Sequence, residues 1–212
     1  MYIKIQGLKK LEKLNFPVPP YKIIEFKKNL SDIYYDRIKK EIEGFKIPHS
    51  PGFAIGVTIR VSLPTKLDKE GKHGGLHNLD KDKIAKIIIE KIKKYGPDTK
   101  IILQYTIDAK SSGAIIGNDR IVIEAIPGDN PELLEGKTRN IERWEYDYQR
   151  NSIVKKVSYI ENGKPISVLS TSDLSKLIYY IRKAIENANN IYLEWSISKD
   201  GDIYFYEYRE IP

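Results

Sequence analysis

The stretch that most constrains the fold is the last one. Residues 191 to 198 and 202 to 208 are rich in β-branched and aromatic side chains, and Asp200-Gly201 between them is a dipeptide suited to a tight turn. Asn162-Gly163 is a second dipeptide of the same kind. A chain that reverses in this way builds antiparallel sheet, because parallel neighbours need a crossover of a dozen or more residues.

Helical spacing interrupts these runs in four places. Leu8, Leu11 and Leu14 predict a short helix within 7 to 15, ended by the stiff segment Phe16-Pro17-Val18-Pro19-Pro20. Tyr34, Tyr35, Ile38 and Ile42 predict another from Ser31 to Gly44. Asp80 is placed to cap a third, carrying Ile84, Ile87, Ile88, Ile92 and Tyr95 up to Gly96-Pro97. Ser172 is expected to begin the fourth, with Leu174, Leu177, Ile178, Ile181, Ile185 and Ala188 on one face. Strands are expected at 53 to 63, 101 to 107, 113 to 117 and 120 to 126, with 64 to 79 as a loop and Ser111-Ser112-Gly113 and Gly117-Asn118-Asp119 as separators. Hairpins outnumber crossovers, so the expected class is α+β rather than a doubly wound sheet.

Length and composition narrow the chemistry. A chain of 212 residues is expected to form one large domain or two small lobes sharing a cleft. Without cysteine there is no disulfide, thiolate nucleophile, Cys-based zinc site or iron–sulfur cluster. A metal must be held by oxygen ligands or by His49, His73 and His77. No apolar run reaches about 18 residues and Met1-Tyr2-Ile3-Lys4 opens no secretory signal, so a cytoplasmic protein with no membrane association is expected. The 34 Ile, the preference for Lys and the single Met fit a thermophilic source, although an A/T-rich genome produces much of the same bias. The net charge of +7 points weakly to a polyanion; dispersed lysines solvating the surface are the alternative, as no arginine-rich or aromatic-interleaved patch occurs.

Three places could carry chemistry. A turn centred near 200 and 201 sets Glu194 opposite Glu207, where like charges repel. A hard cation such as Mg²⁺ bridged to phosphates is one resolution, and pairing of each carboxylate with a lysine on an exposed sheet is the other. Arg60, flanked by β-branched residues, either offers its planar fork to phosphate oxygens or forms an ion pair at a strand edge. Gly74-Gly75 suits a phosphate-cradling turn, or an ordinary one. No Walker A sequence, dinucleotide fingerprint or Gly-x-Ser-x-Gly elbow is present.

In order along the chain, six fragments resemble the nucleotide-binding N-terminal domain of phosphoenolpyruvate synthase and pyruvate phosphate dikinase, which has the ATP-grasp fold. They are Gly7-Leu8-Lys9-Lys10-Leu11 with Phe16-Pro17-Val18-Pro19-Pro20, Ile59-Arg60-Val61-Ser62, Gly74-Gly75-Leu76-His77-Asn78, Ile102-Leu103-Gln104 with Ser112-Gly113-Ala114, Leu193-Glu194-Trp195, and Glu207-Tyr208-Arg209. The resemblance implies an ATP-grasp-like module over 1 to 212 with a nucleotide cleft between approximate lobes 1 to 100 and 101 to 212. Lys9 or Lys10 and Arg60 would hold ATP phosphates, with Gly74 and Gly75 in the phosphate loop. Gln104, Tyr105 and Thr106 would form the adenine hinge, and Glu194 with Glu207 would ligate Mg²⁺. Arg209 would neutralise charge on the transferring phosphoryl group, a role of positioning and electrostatics.

Two departures from that pattern stand out. The family's Gly-Leu-Gly-Glu turn is replaced by Gly128-Asp129-Asn130-Pro131, leaving Glu132 as the nearest counterpart of its glutamate, and Glu207 stands where the family commonly has Gln. The family's swivelling phosphohistidine domain has no counterpart here, so the acceptor is expected on another chain or molecule, such as a partner protein carrying that histidine. Three readings follow: an Mg²⁺-ATP-dependent phosphotransferase module, a non-catalytic ATP-binding regulatory or interaction protein, and a nucleic-acid-binding protein using the lysines around 66 to 94.

Overall fold

A computed structural model of the protein describes residues 2–25, 33–45, 53–64, 81–96, 98–129 and 138–211. The chain divides into two compact units, Met1–Gln6 with Pro19–Thr106, and Gly7–Val18 with Ile107–Pro212. Helix α1 (Ile3–Lys13) starts earlier than its leucine spacing predicts, because Ile5 extends the buried stripe of Leu8 and Leu11. It stops at Asn15, which takes φ 51, while Asn15 N–H donates to Glu12 O and Phe16 N–H to Leu11 O. This is a left-handed C-terminal cap followed by the buried ring of Phe16, after which Pro17 and Pro19 bar further helix.

The first unit holds a three-stranded sheet in the order β1-β3-β2, with β1 (Tyr21–Glu25) antiparallel to β3 (Lys100–Ile107) and β2 (Phe53–Ser62) on the other side. Alternation sorts β2 cleanly. Val57, Ile59, Val61 and Leu63 enter a core with Ile38 and Ile42 of α2 (Ile33–Glu43) and Ile84, Ile88 and Ile92 of α3 (Lys81–Tyr95). Burying each such side chain contributes about 1.5–3 kcal/mol. Thr58, Arg60 and Ser62 occupy the opposite face of β2, as Gln104 and Thr106 do on β3. The expected caps Ser31 and Asp80, and the loop from 65 to 79, lie outside the described residues.

The second unit is built on a six-stranded sheet in the order β11-β10-β4-β5-β6-β7, comprising β4 (Ala109–Gly117), β5 (Arg120–Pro127), β6 (Glu142–Asp147), β7 (Ser152–Val157), β10 (Ile191–Ser198) and β11 (Ile203–Glu210). Every pairing recorded in it is antiparallel. A two-stranded ribbon, β8 (Tyr159–Glu161) and β9 (Lys164–Ile166), turns at Asn162 and Gly163, both at positive φ, as the dipeptide predicts. The turn before β11 differs from its expected form. Gly201 alone is left-handed, at φ 89, and Ser198 N–H donates to Asp202 O across a three-residue loop.

Two further expectations are corrected, and two strands are added. Ser111-Ser112-Gly113 does not separate strands but lies inside β4. A Cβ on Gly113 would overlap the Glu124 carbonyl and come within 2.6 Å of Trp195 Cζ2, so glycine serves here to admit a buried indole. Helix α4 (Thr171–Ile185) is capped by Ser170, not Ser172; the Ser170 hydroxyl accepts from Asp173 N–H and the Asp173 carboxylate from Ser170 N–H. Strands β6 and β7 were missed by periodicity because charged residues occupy them.

What holds β6 in place is a buried carboxylate. Glu142 accepts from Trp144 Nε1 at 2.7 Å, Lys155 Nζ at 2.9 Å, Val168 N at 2.9 Å and Leu169 N at 3.1 Å, tying β6 to the segment that leads into α4. Burial pushes its pKa up, but those donors outweigh burial and hold it below the ordinary value. Asp173 is lowered in the same way by Ser170 and Lys110. Stability from both groups is therefore complete above the ordinary carboxylate range and is lost as pH falls through the lowered folded values. Glu142→Gln should lower the urea midpoint at pH 7 much more than at pH 3. Gly113→Ala should cost about 3 kcal/mol by overpacking, against about 1 kcal/mol for Gly163→Ala, where φ is 76 and no atom lies within 4 Å; urea denaturation of both variants checks the difference.

Candidate functional site

The β10–β11 hairpin brings Glu194 and Glu207 directly opposite each other. The tight end of the hairpin alone would not do so. There Trp195 faces Phe205 and Ser196 faces Tyr204, a register that would carry Glu194 onto Tyr206. A β-bulge between Glu194 and Trp195 absorbs one residue of β11, and beyond it Glu194 faces Glu207 and Tyr192 faces Arg209. Both carboxylates are buried, Glu194 to 8% and Glu207 to 1% exposure.

Two side chains on the next rung compensate the repulsion. Arg209 donates from Nε and Nη2 to Glu207 Oε1. The Tyr192 hydroxyl donates to Glu194 Oε1 at 2.9 Å, and the Arg209 guanidinium lies over the Tyr192 ring, 5.5 Å from its centroid. Burial, then the charge of Glu194, pushes the Tyr192 phenol far above its ordinary pKa, so it stays a donor at any physiological pH. For Arg209, burial works downward and is outweighed by Glu207 and Glu194, so its guanidinium is held even more firmly protonated.

Helix α1 meets the same strand. Gly7 lies so close to β11 that a Cβ there would stand 2.5 Å from Tyr208 O. Of the two candidate lysines, Lys9 is exposed, whereas Lys10 sits 3.4 Å from Glu210 and 5.7 Å from the centroid of the Tyr208 ring. Burial and Glu210 push the Tyr208 phenol up to about 12. On the same sheet face the neighbouring strands set Ala114 and then Glu124 beside Glu194, and Glu124 pairs with Arg143 at 2.6 Å.

In the first unit, Arg60 is buried to 8% exposure on the polar face of β2. Thr58 Oγ1 and Thr106 Oγ1 lie 3.0 Å apart. Gln104 is fully buried; its Nε2 donates to Pro19 O at 3.5 Å and its Oε1 has no hydrogen-bond partner. Tyr105 packs against Phe45 at 4.6 Å between centroids, with N–H donated to Pro20 O. Gly74, Gly75 and Glu132 lie outside the described residues, as do all three histidines. Gly128, at φ 67, accepts from the Ser112 hydroxyl.

The hairpin therefore combines two adjacent carboxylates and one guanidinium. Among the described residues no group of three or more His, Asp or Glu is gathered as a metal cage. Two carboxylates suit a cation that draws its other ligands from water or phosphate, which is the habit of Mg²⁺. Sequence reasoning missed Tyr192, although alternation already places it two residues from Glu194 on the same face. Arg209→Ala should destabilise the metal-free protein by about 2 kcal/mol, since it strips Glu207 of a cation, and adding Glu207→Gln should recover most of that loss in a urea double-mutant cycle.

No protein-family model and no curated protein matches the chain. Solved structures do. D-alanyl-alanine synthetase A from Vibrio cholerae O1 biovar eltor aligns with a TM-score of 0.53 and 14% identity over 99% of this chain and 55% of that one. D-alanine-D-alanine ligase from Helicobacter pylori gives 0.52 and 11% over 100% and 54%. The ADP complex of purK, N5-carboxyaminoimidazole ribonucleotide synthetase, gives 0.52 and 11% over 97% and 43%. The chain thus spans about half the length of the structures it matches, and among its described residues no helix is long and apolar enough to cross a membrane. At such low identity the likeness concerns the fold, and the fold is α+β and ATP-grasp-like.

Proposed function

We propose that the chain is an Mg²⁺-ATP-binding module that delivers a phosphoryl group from ATP to an acceptor on another molecule or chain, as the resemblance to the phosphoenolpyruvate synthase and pyruvate phosphate dikinase domain implies. The observation that carries this reading is the buried pair Glu194 and Glu207, placed opposite each other beside Arg209 in an ATP-grasp-like fold. In this reading Glu194 and Glu207 hold the metal, which supplies charge neutralisation at the phosphates. Arg209 shares its guanidinium between Glu207 and the transferring group, and Arg60 with Lys10 binds phosphate oxygens. Gln104, Tyr105 and Thr106 serve adenine, and the unpartnered Gln104 Oε1 is an acceptor that an amino group would satisfy.

The solved structures favour a second reading of the acceptor. Synthetases and ligases are among the proteins this fold resembles, so a carboxylate substrate, activated as an acyl phosphate, competes with a histidine on a partner protein. Both readings require the same metal and nucleotide chemistry. Titration calorimetry with Mg²⁺-ATP should show binding below millimolar concentration, and Mg²⁺-ATP should raise the melting temperature of the wild-type protein. Glu194→Gln and Arg60→Ala are each expected to abolish that rise; a folded wild-type sample that takes up no nucleotide would remove the reading, and full retention of the rise in both variants would remove the site assignment.

A further inference from the structure

We infer that Tyr192 is the positioning residue of the Glu194/Glu207 pair, holding one carboxylate through its hydroxyl and the other through the cation on its ring. The inference rests on the Mg²⁺-ATP reading and names a residue that reading does not require. The two same-face rungs beyond the bulge are Glu194 with Glu207 and Tyr192 with Arg209. Tyr192 touches both halves of this square. Its hydroxyl donates to Glu194 Oε1 at 2.9 Å, and its ring lies 5.5 Å from the guanidinium that is bonded to Glu207 Oε1.

These contacts differ from those recorded for Tyr208 and Tyr204 on the same hairpin. Tyr208 directs its hydroxyl to Glu210, and Tyr204 lines a separate surface cavity with Tyr179 and Tyr180. A carboxylate that must present an oxygen to a cation gains from having the other oxygen fixed by a donor, because the donor removes rotational freedom and sets the direction of the remaining lone pairs. Phenylalanine at 192 would keep the ring under Arg209 and remove the hydroxyl. Leucine would remove both.

The test uses the full chain and Mn²⁺ as the probe, with free Mn²⁺ measured by electron paramagnetic resonance in the presence of ATP. Nucleotide binding is measured separately in EDTA. Tyr192→Phe should weaken Mn²⁺ binding about tenfold and Tyr192→Leu about a hundredfold, with metal-free ATP affinity within about twofold of wild type and Tyr204→Phe unchanged in both assays. Circular dichroism melts establish that each variant folds, and the Phe variant decides alone should the Leu variant not fold. The proposal is overturned if folded Tyr192→Phe binds Mn²⁺ within about twofold of wild type, or if metal and nucleotide affinities fall by the same factor, the mark of a merely structural role. Wild-type protein that takes up no Mn²⁺ with ATP would instead overturn the Mg²⁺-ATP reading, and this inference with it.

Discussion

Two buried carboxylates face each other across a pair of hydrogen-bonded strands, and the second unit is arranged around keeping them there. Left alone, Glu194 and Glu207 would drive the strands apart or take up protons. A guanidinium on one side and a phenol on the other make the arrangement tolerable, and both come from the next rung of the same hairpin. Removing one residue from the bulge would return Glu194 to face Tyr206 and dissolve the whole constellation.

The rest of the sheet supports that geometry through two devices of opposite character. On one face, Gly113 removes a side chain so that the Trp195 indole can fill the core beside β10. At the other end, Glu142 is a buried charge that has been satisfied completely, with donors from β6, β7 and the segment leading into α4. The contrast is chemical. Glu142 spends its lone pairs on main-chain and side-chain donors of its own unit and acts as a structural fastener. Glu194 and Glu207 each accept from a side chain of their own hairpin, Tyr192 and Arg209 respectively, at the place where two carboxylates face one another.

Much of the architecture was legible because alternation and turn chemistry act locally. Val57, Ile59 and Val61 against Thr58, Arg60 and Ser62 define two faces of β2 without reference to any partner. Asn162-Gly163 needs no tertiary contact to adopt positive φ. The errors have equally definite causes. Glycine and serine inside β4 look like a break until the indole that occupies the glycine's missing volume is known. Strands β6 and β7 carry adjacent charges, Glu142-Arg143 and Lys155-Lys156, that read as surface until Glu142 is seen to be buried. The cap of α4 was within reach, since Ser170-Thr171-Ser172-Asp173 is the capping-box pattern, and Ser172 merely stood closer to the apolar run.

What the sequence by itself determined is the set of groups: an α+β chain, no thiol chemistry, a closing hairpin with two carboxylates and an arginine, and an ordered series of fragments resembling one nucleotide-binding family. Those properties depend on residue type and on spacing over a few positions. Tertiary structure decided how the groups meet. The bulge that aligns Glu194 with Glu207, the stacking of Arg209 on Tyr192 and the choice of Lys10 over Lys9 against β11 each depend on atoms from separate stretches of chain. Register across strands, unlike periodicity along one, is a collective property of packing.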